Sequence, residues 1–173
     1  MHIKTNNYPD IEYEKGEEIF STQKEEVNRK IKEYLLPDVE EELTLDDEAM
    51  NKVAEALDEV DTFVISAKDF LKKILAGEEN DDYGTVSYFM EYHRDEMDED
   101  TLSEMFPSSD IDTMTFIEMV DFLEAVRFGS IIDNKTEEQA FIMDLSFDPE
   151  LTDELMVVHF DLEKQPYYIA HES

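Results

Sequence analysis

The spacing of apolar residues changes along this chain, and that change constrains the fold more than any other feature. Between residues 50 and 74 the apolar side chains recur at steps of three and four, which is the period of a helix with one buried face. In the last forty residues they alternate instead, which is the period of a strand. The sequence therefore predicts helices in the middle, strands at the end, and an α+β fold.

The middle of the chain carries several helix signals. Met50 to Val60 forms one apolar face after a cap candidate at Thr44 or Asp46, and Phe63 to Ile74 repeats it before Gly77. These segments are two helices or one bent helix. Further apolar positions predict a short helix at 86–93, a turn at 102–106 capped by Asp98 or Asp100, and a helix from Thr115 to Phe128 that opens with capping-box spacing.

The end of the chain predicts three strands at 141–147, 155–160 and 167–170. Short links between successive strands favour an antiparallel meander. With only four Gly and five Pro there is no flexible linker, so we expect residues 1–173 to form one acidic α+β domain. In this architecture the central helices pack on an antiparallel sheet. An additional hairpin at the amino terminus is compatible with the sequence but is not required by it.

Charge limits the classes of partner. The formal net charge is -33, yet 41% of residues are hydrophobic, with eleven Phe and eight Tyr, so a sizeable core is expected despite the acidity. No stretch is basic enough to bind nucleic acid directly through its phosphates. The absence of cysteine excludes disulfides and thiolate sites, and the lack of a signal peptide or a membrane-length apolar run favours a cytoplasmic location.

The acidic side chains are concentrated in two internal segments. Residues 37–60 carry ten acidic and one basic side chain, net -9, and residues 78–112 carry thirteen and one, net -12. Such blocks inside a chain are typical of solvated faces and loops of a folded domain. The residues that we predict to form an acidic interaction surface are Glu40, Glu41, Glu42, Asp95, Glu96, Asp98, Glu99 and Asp100.

Candidate catalytic and metal-binding residues lack a specific pattern. Asp95, Asp98 and Asp100 could crowd a calcium ion, but the glycine and the spaced glutamate of a calcium loop are missing. His159 and His171, with Asp161, could approach one another if the last two strands pair, although a surface histidine beside an acid is the commoner arrangement. There is no nucleophile elbow and no glycine-rich phosphate loop, so we expect no catalytic residues and no cofactor.

The carboxy-terminal segment resembles a known family. The run Phe147-Asp148-Pro149-Glu150-Leu151-Thr152-Asp153-Glu154-Leu155-Met156-Val157-Val158-His159-Phe160-Asp161, with the final Ile169-Ala170-His171-Glu172-Ser173, resembles an uncharacterised bacterial family, domain of unknown function two-thousand-and-four. The resemblance covers roughly residues 85–173. It implies an α+β fold with a terminal meander and supplies no activity or catalytic residues.

The resemblance and the local pattern disagree on residues 18–36. Members of the family begin with a β-hairpin, which would make Glu18 to Leu36 strands. The Lys- and Glu-rich run from Lys24 to Glu33 favours a helix instead. Both interpretations stay open from the sequence.

The sequence predicts a non-enzymatic cytoplasmic interaction module that binds a basic protein through an acidic surface. An immunity protein is one kind of protein that fits this description. Two alternatives stay open. One is a nucleic-acid mimic that occupies a DNA-binding protein. The other is a metal-dependent hydrolase that uses acids together with His159 and His171.

Overall fold

The computed structural model describes residues 1–6, 11–19, 36–79, 82–107 and 109–173 of the chain. Short strands β1 (His2–Ile3) and β2 (Ile11–Glu12) pair near the amino terminus, before β3 (Leu36–Val39). The helices are α1 (Glu41–Thr44), α2 (Asp47–Asp58), α3 (Val60–Leu75), α4 (Tyr83–Glu96), α5 (Glu99–Met105) and α6 (Phe116–Val120). The remaining strands are β4 (Glu124–Ile132), β5 (Gln139–Ser146), β6 (Leu155–Phe160) and β7 (Pro166–Glu172).

The helix start predicted at Asp46 and the stop predicted at Gly77 are confirmed, whereas the helix predicted at 86–93 extends over Tyr83–Glu96 and α1 was not predicted. Asp46 caps α2, because its side chain accepts hydrogen bonds from the backbone N–H groups of Glu48 and Ala49 at 2.8 and 3.4 Å. At Glu59 the backbone leaves helical geometry, with φ -112° and ψ 14°, so α2 and α3 are two helices. After α3, Gly77 takes φ 76°, the left-handed conformation that ends many helices.

A five-stranded sheet forms the other layer, in the order β3-β4-β5-β6-β7. The three strands predicted at the end of the chain are confirmed as β5, β6 and β7, and they form an antiparallel meander as expected. Two further strands enlarge it: β4 pairs antiparallel with β5, and β3 pairs parallel with β4. The sheet is therefore mixed, and the α+β class is confirmed.

The prediction of a helix from Thr115 to Phe128 is wrong after Val120. The capping box is present, since Glu118 N–H donates to Thr115 Oγ1 at 3.1 Å and the Glu118 carboxylate accepts from Thr115 N–H at 2.8 Å. Beyond the helix, residues 124–132 become a strand between β3 and β5. Backbone pairing with β5 and with the distant strand β3 outweighs the local helical spacing, and a local pattern contains no information about the pairing with β3.

Gly129 explains how β3 reaches β4. A Cβ atom at this position would lie 2.4 Å from the carbonyl oxygen of Asp38, its partner in the parallel pair. A glycine is therefore required for the backbones to approach this closely.

The core lies between the helices and one face of the sheet. The ring of Phe63 in α3 lies 5.0 Å from Phe128, 5.7 Å from Phe141 and 4.9 Å from Phe160, measured between centroids. These four side chains are each 2% exposed or less. Edge-to-face aromatic pairs of this kind contribute about 0.5–1.5 kcal/mol each beyond their buried area.

The amino terminus is described only in part. β1 and β2 pair antiparallel, with His2 opposite Glu12 and Ile3 opposite Ile11, which supplies the optional amino-terminal pair of strands. The question of hairpin or helix over residues 18–36 falls mostly outside the described residues. Within the described ranges, no helix combines the length and the apolar character needed to cross a membrane.

Candidate interaction surface

The carboxylates at the end of α4 and the start of α5 form the densest exposed acidic group. Asp95, Glu96, Glu99 and Asp100 are exposed, and so is Asp98 between the helices. The side chain of Asp98 caps α5 by accepting from the backbone N–H of Thr101 at 2.7 Å. That hydrogen bond lowers the pKa of Asp98, because it favours the ionised form. Asp98 therefore has a structural role, while its neighbours point their charge at solvent.

Positive charge at this site is already engaged. Arg94 is the single basic residue in the segment 78–112. Its Nε lies 3.0 Å from Asp95 Oδ1, and its guanidinium lies 4.9 Å from the ring centroid of Phe116. Across the described residues, Glu96, Glu99 and Asp100 have no ion-pair partner. We call these three residues the α5 acidic patch.

The other predicted acidic segment is used differently. Glu40 is half-buried, and its carboxylate accepts from the backbone N–H of Ile132 at 2.9 Å. Glu41 and Glu42 are exposed in the first turn of α1, where negative charge complements the helix dipole. Nearby acids are paired with lysines, Asp47 with Lys15 at 3.1 Å and Glu48 with Lys52 at 3.4 Å. Glu40 thus contributes to the fold, and this segment is partly neutralised.

The two acidic segments lie at opposite ends of β4. Glu40 contacts the Ile132 end. Phe106, which follows α5, packs on Phe122 and Phe147 at 5.2 and 4.9 Å, next to the end where Glu124 pairs with Ser146. A strand of this length separates its ends by about 25 Å. The eight predicted residues therefore form two separate surfaces.

His159 and His171 do not approach one another, although pairing of the last two strands left that arrangement open. The strands β6 and β7 do pair, but His159 lies opposite Tyr168 and His171 lies opposite Met156. Because neighbouring side chains on a strand alternate, this register places the two histidines on opposite faces of the sheet. Among the described residues, no group of three or more His, Asp or Glu side chains could hold a metal ion.

Each histidine instead has its own local role. His171 contacts the Glu154 carboxylate through Nε2 and packs edge-on against Phe89, with ring centroids 5.2 Å apart. The ring of His159 lies 5.1 Å from Tyr168 and 6.1 Å from Tyr167. Burial lowers the pKa of His159, and within the described part of the chain its Nδ1 has no hydrogen-bond partner.

A buried histidine lies on α4, at the end of the segment 86–93 that was predicted as a short helix. His93 is fully buried, and its Nδ1 lies 2.8 Å from the carbonyl oxygen of Phe89 while its Nε2 lies 3.1 Å from Thr152 Oγ1. The carbonyl can only accept, so Nδ1 donates and the neutral ring accepts from Thr152 at Nε2. Burial lowers the pKa of His93, which keeps the ring neutral. This bond ties α4 to the loop between β5 and β6.

An ion-pair cluster on the sheet was missed by the sequence analysis. Arg127 Nη1 lies 2.9 Å from Asp38 Oδ2. Its Nε lies 2.7 Å from Asp144 Oδ2, which makes an ion pair, but the N–H bond does not point at that oxygen and forms no hydrogen bond with it. Asp144 is 3% exposed, and burial raises its pKa although Arg127 opposes the shift. Sequence analysis placed Arg127 in a helix, so it could not anticipate carboxylates from two neighbouring strands.

Comparison with other proteins gives no match: no protein-family model, no curated protein and no solved structure is similar to this chain at a significant level. The resemblance of residues 85–173 to an uncharacterised family stays a prediction. The function must be argued from the side chains themselves.

Proposed function

We propose that this protein is a non-enzymatic cytoplasmic interaction module that binds a basic protein through the α5 acidic patch, in the manner of an immunity protein. The observation that carries the proposal is the imbalance at this patch. Three exposed carboxylates have no ion-pair partner among the described residues, and the one arginine nearby is held by Asp95 and Phe116.

The electrostatics support an association role. Excess negative charge raises the local concentration of cationic partners and speeds their encounter, and exposed carboxylates without internal partners lose little when a partner pairs with them. The segment Glu40–Glu42 is a weaker candidate, because Glu40 is committed to the backbone of β4 and nearby lysines reduce the local field.

Neutralising the patch tests the proposal. In the triple variant Glu96→Gln, Glu99→Gln and Asp100→Asn, we expect strongly basic proteins to bind about tenfold more weakly at low salt, since each exposed ion pair contributes about 0.2–1 kcal/mol. Asp98 is left unchanged because it caps α5. Titration calorimetry over a salt series measures the affinity, and circular dichroism checks that the helices are retained.

A matched control separates the patch from total charge. The variant Glu41→Gln, Glu42→Gln and Glu55→Gln removes an equal number of negative charges, three, from exposed positions on α1 and α2. We expect it to change the affinity by less than about twofold, roughly 0.4 kcal/mol. Equal losses in both variants would show that the patch has no special role, and salt-independent binding would contradict the electrostatic proposal altogether.

A further inference from the structure

The two edges of the sheet differ in the availability of their backbone groups. On the β3 edge, Ile19 pairs with Val39 through two hydrogen bonds of 3.0 and 3.1 Å, and Pro37 has no N–H to donate. On the β7 edge, the described part of the chain supplies no backbone partner on the outer side. An unpaired strand edge is a template for adding a further strand.

The regular part of the open edge runs from Tyr168 to Glu172. A register shift at His159 and Phe160 leaves Tyr167 as an extra residue, so the start of β7 is bulged. From Tyr168 onward each residue has a direct partner on β6. A bulge bends and twists a strand, which restricts regular pairing to the remaining segment.

Exposed tyrosines flank this segment on both faces of the sheet. Tyr168 is 43% exposed, and Tyr88 on α4 is 59% exposed with its ring 5.8 Å from that of His171. Tyrosine supplies large contact area at a low cost in side-chain entropy and is enriched at binding hot spots. A strand added to β7 would therefore pass between an aromatic side chain on each face.

The chemistry of the edge favours a cationic occupant. Glu172 is exposed on β7 itself, and Glu91 is exposed one helical turn after Tyr88. The ring of Tyr168 makes a cation–π contact with a lysine of this chain, since Lys135 Nζ lies 5.5 Å from the ring centroid. A second copy of the chain is a poor occupant, because two molecules of charge -33 repel one another.

We propose that Tyr168–Glu172 is a docking edge, to which the basic partner adds an extended, lysine-rich segment as a sixth strand. This inference rests on the proposed function. It adds that the basic partner binds through main-chain hydrogen bonds to β7 as well as through its charge. Main-chain hydrogen bonds to β7 provide affinity, while Tyr88, Tyr168 and the neighbouring carboxylates select cationic side chains.

Two synthetic peptides of equal length and charge test the mode of binding. One alternates lysine with valine and spans the docking edge; the other has the same sequence with every backbone nitrogen methylated, so it lacks the N–H donors on both sides of the strand. We expect the unmethylated peptide to bind at least about tenfold more tightly, corresponding to about 1.4 kcal/mol. It should also slow hydrogen exchange at alternate amides of Tyr168–Glu172, because only alternate N–H groups of an edge strand point outward.

A pair of charge-matched variants completes the experiment. Tyr168→Lys places a positive charge on the docking edge, while Ile65→Lys adds the same charge at a 63% exposed position on α3. We expect Tyr168→Lys to abolish the preference for the unmethylated peptide and Ile65→Lys to leave it unchanged. Equal effects of the two variants would overturn the docking edge.

The remaining outcomes separate this inference from the proposed function. Equal binding of both peptides, with exchange slowed at the α5 acidic patch and not at β7, would overturn the docking edge and leave the acidic module standing. Binding of neither peptide at low salt would overturn both. Exchange protection of β7 that depends on protein concentration and needs no peptide would show that a second copy occupies the edge instead.

Discussion

The two faces of the five-stranded sheet bury different kinds of side chain. The helix-covered face buries Phe128, Phe141 and Phe160 around Phe63. The opposite face of β4 and β5 carries the Arg127–Asp144 ion pair and the fully buried Ser146. The sheet therefore separates a mainly aromatic contact from one in which an ion pair is buried.

The two faces are expected to contribute differently to the stability of the fold and to the register in which the strands pair. Burying aromatic surface is favourable for many alternative arrangements, whereas a buried carboxylate needs its arginine at one position. Arg127 meets Asp38 and Asp144 only when β3, β4 and β5 adopt the observed pairing. We therefore expect the helix-covered face to contribute most of the free energy of unfolding and the Arg127–Asp144 face to select this register.

The largest expected effect lies on the helix-covered face. Phe63→Ala removes a ring that contacts three others, and we expect the free energy of unfolding to fall by about 3–5 kcal/mol. Ile65→Ala, two residues away and exposed, should change it by less than about 0.5 kcal/mol. Urea unfolding followed by circular dichroism measures both, and a loss below about 1 kcal/mol for Phe63→Ala would contradict the assignment of this core.

An intermediate effect is expected at the ion pair on the opposite face. Arg127→Met leaves Asp144 buried without its cation, and we expect a loss of about 2–3 kcal/mol. The double variant Arg127→Met and Asp144→Leu should recover most of that loss, since no charge remains buried. If the double variant were as unstable as the single one, packing of the arginine stem would be the cause and the electrostatic explanation would fail.

The smallest effect compares two buried serines, one on each face. Ser130 donates to the carbonyl oxygen of Ala140 at 3.1 Å and accepts from Gln139 at 3.0 Å, whereas Ser146 Oγ has no hydrogen-bond partner among the described residues. We expect Ser130→Ala to lower the free energy of unfolding by about 1 kcal/mol and Ser146→Ala to raise it by about 0.5–1 kcal/mol. Thermal unfolding of the two variants, side by side, gives the sign of each change.

Much of the helical layer could be predicted because its signals are local. Asp46, Gly77 and the Thr115–Glu118 capping box act on backbone groups within a few residues, so they mark helix ends at the observed places. The alternation in β5 and β6 is equally local. By contrast, Val126 continues a helical spacing, and only pairing of residues 124–132 with β3 and β5 makes it part of a strand.

The candidate site was predictable in composition and not in arrangement. The sequence identified the acids from Asp95 to Asp100, and their exposure follows from their charge. It could not show that Glu40 binds the backbone of Ile132, that the two acidic segments lie at opposite ends of β4, or that the β6–β7 register keeps His159 from His171. Each of these facts depends on contacts between distant parts of the chain.

The sequence by itself determined the α+β class, several helix ends, the final meander and the excess of negative charge, because each depends on the residue types in a short window. Tertiary structure decided which carboxylates are engaged and which are available, how β3 and β4 complete the sheet, and which edge stays open. The physical reason is that charge and period belong to individual residues, whereas hydrogen-bond partners and strand neighbours are selected by the whole chain as it packs.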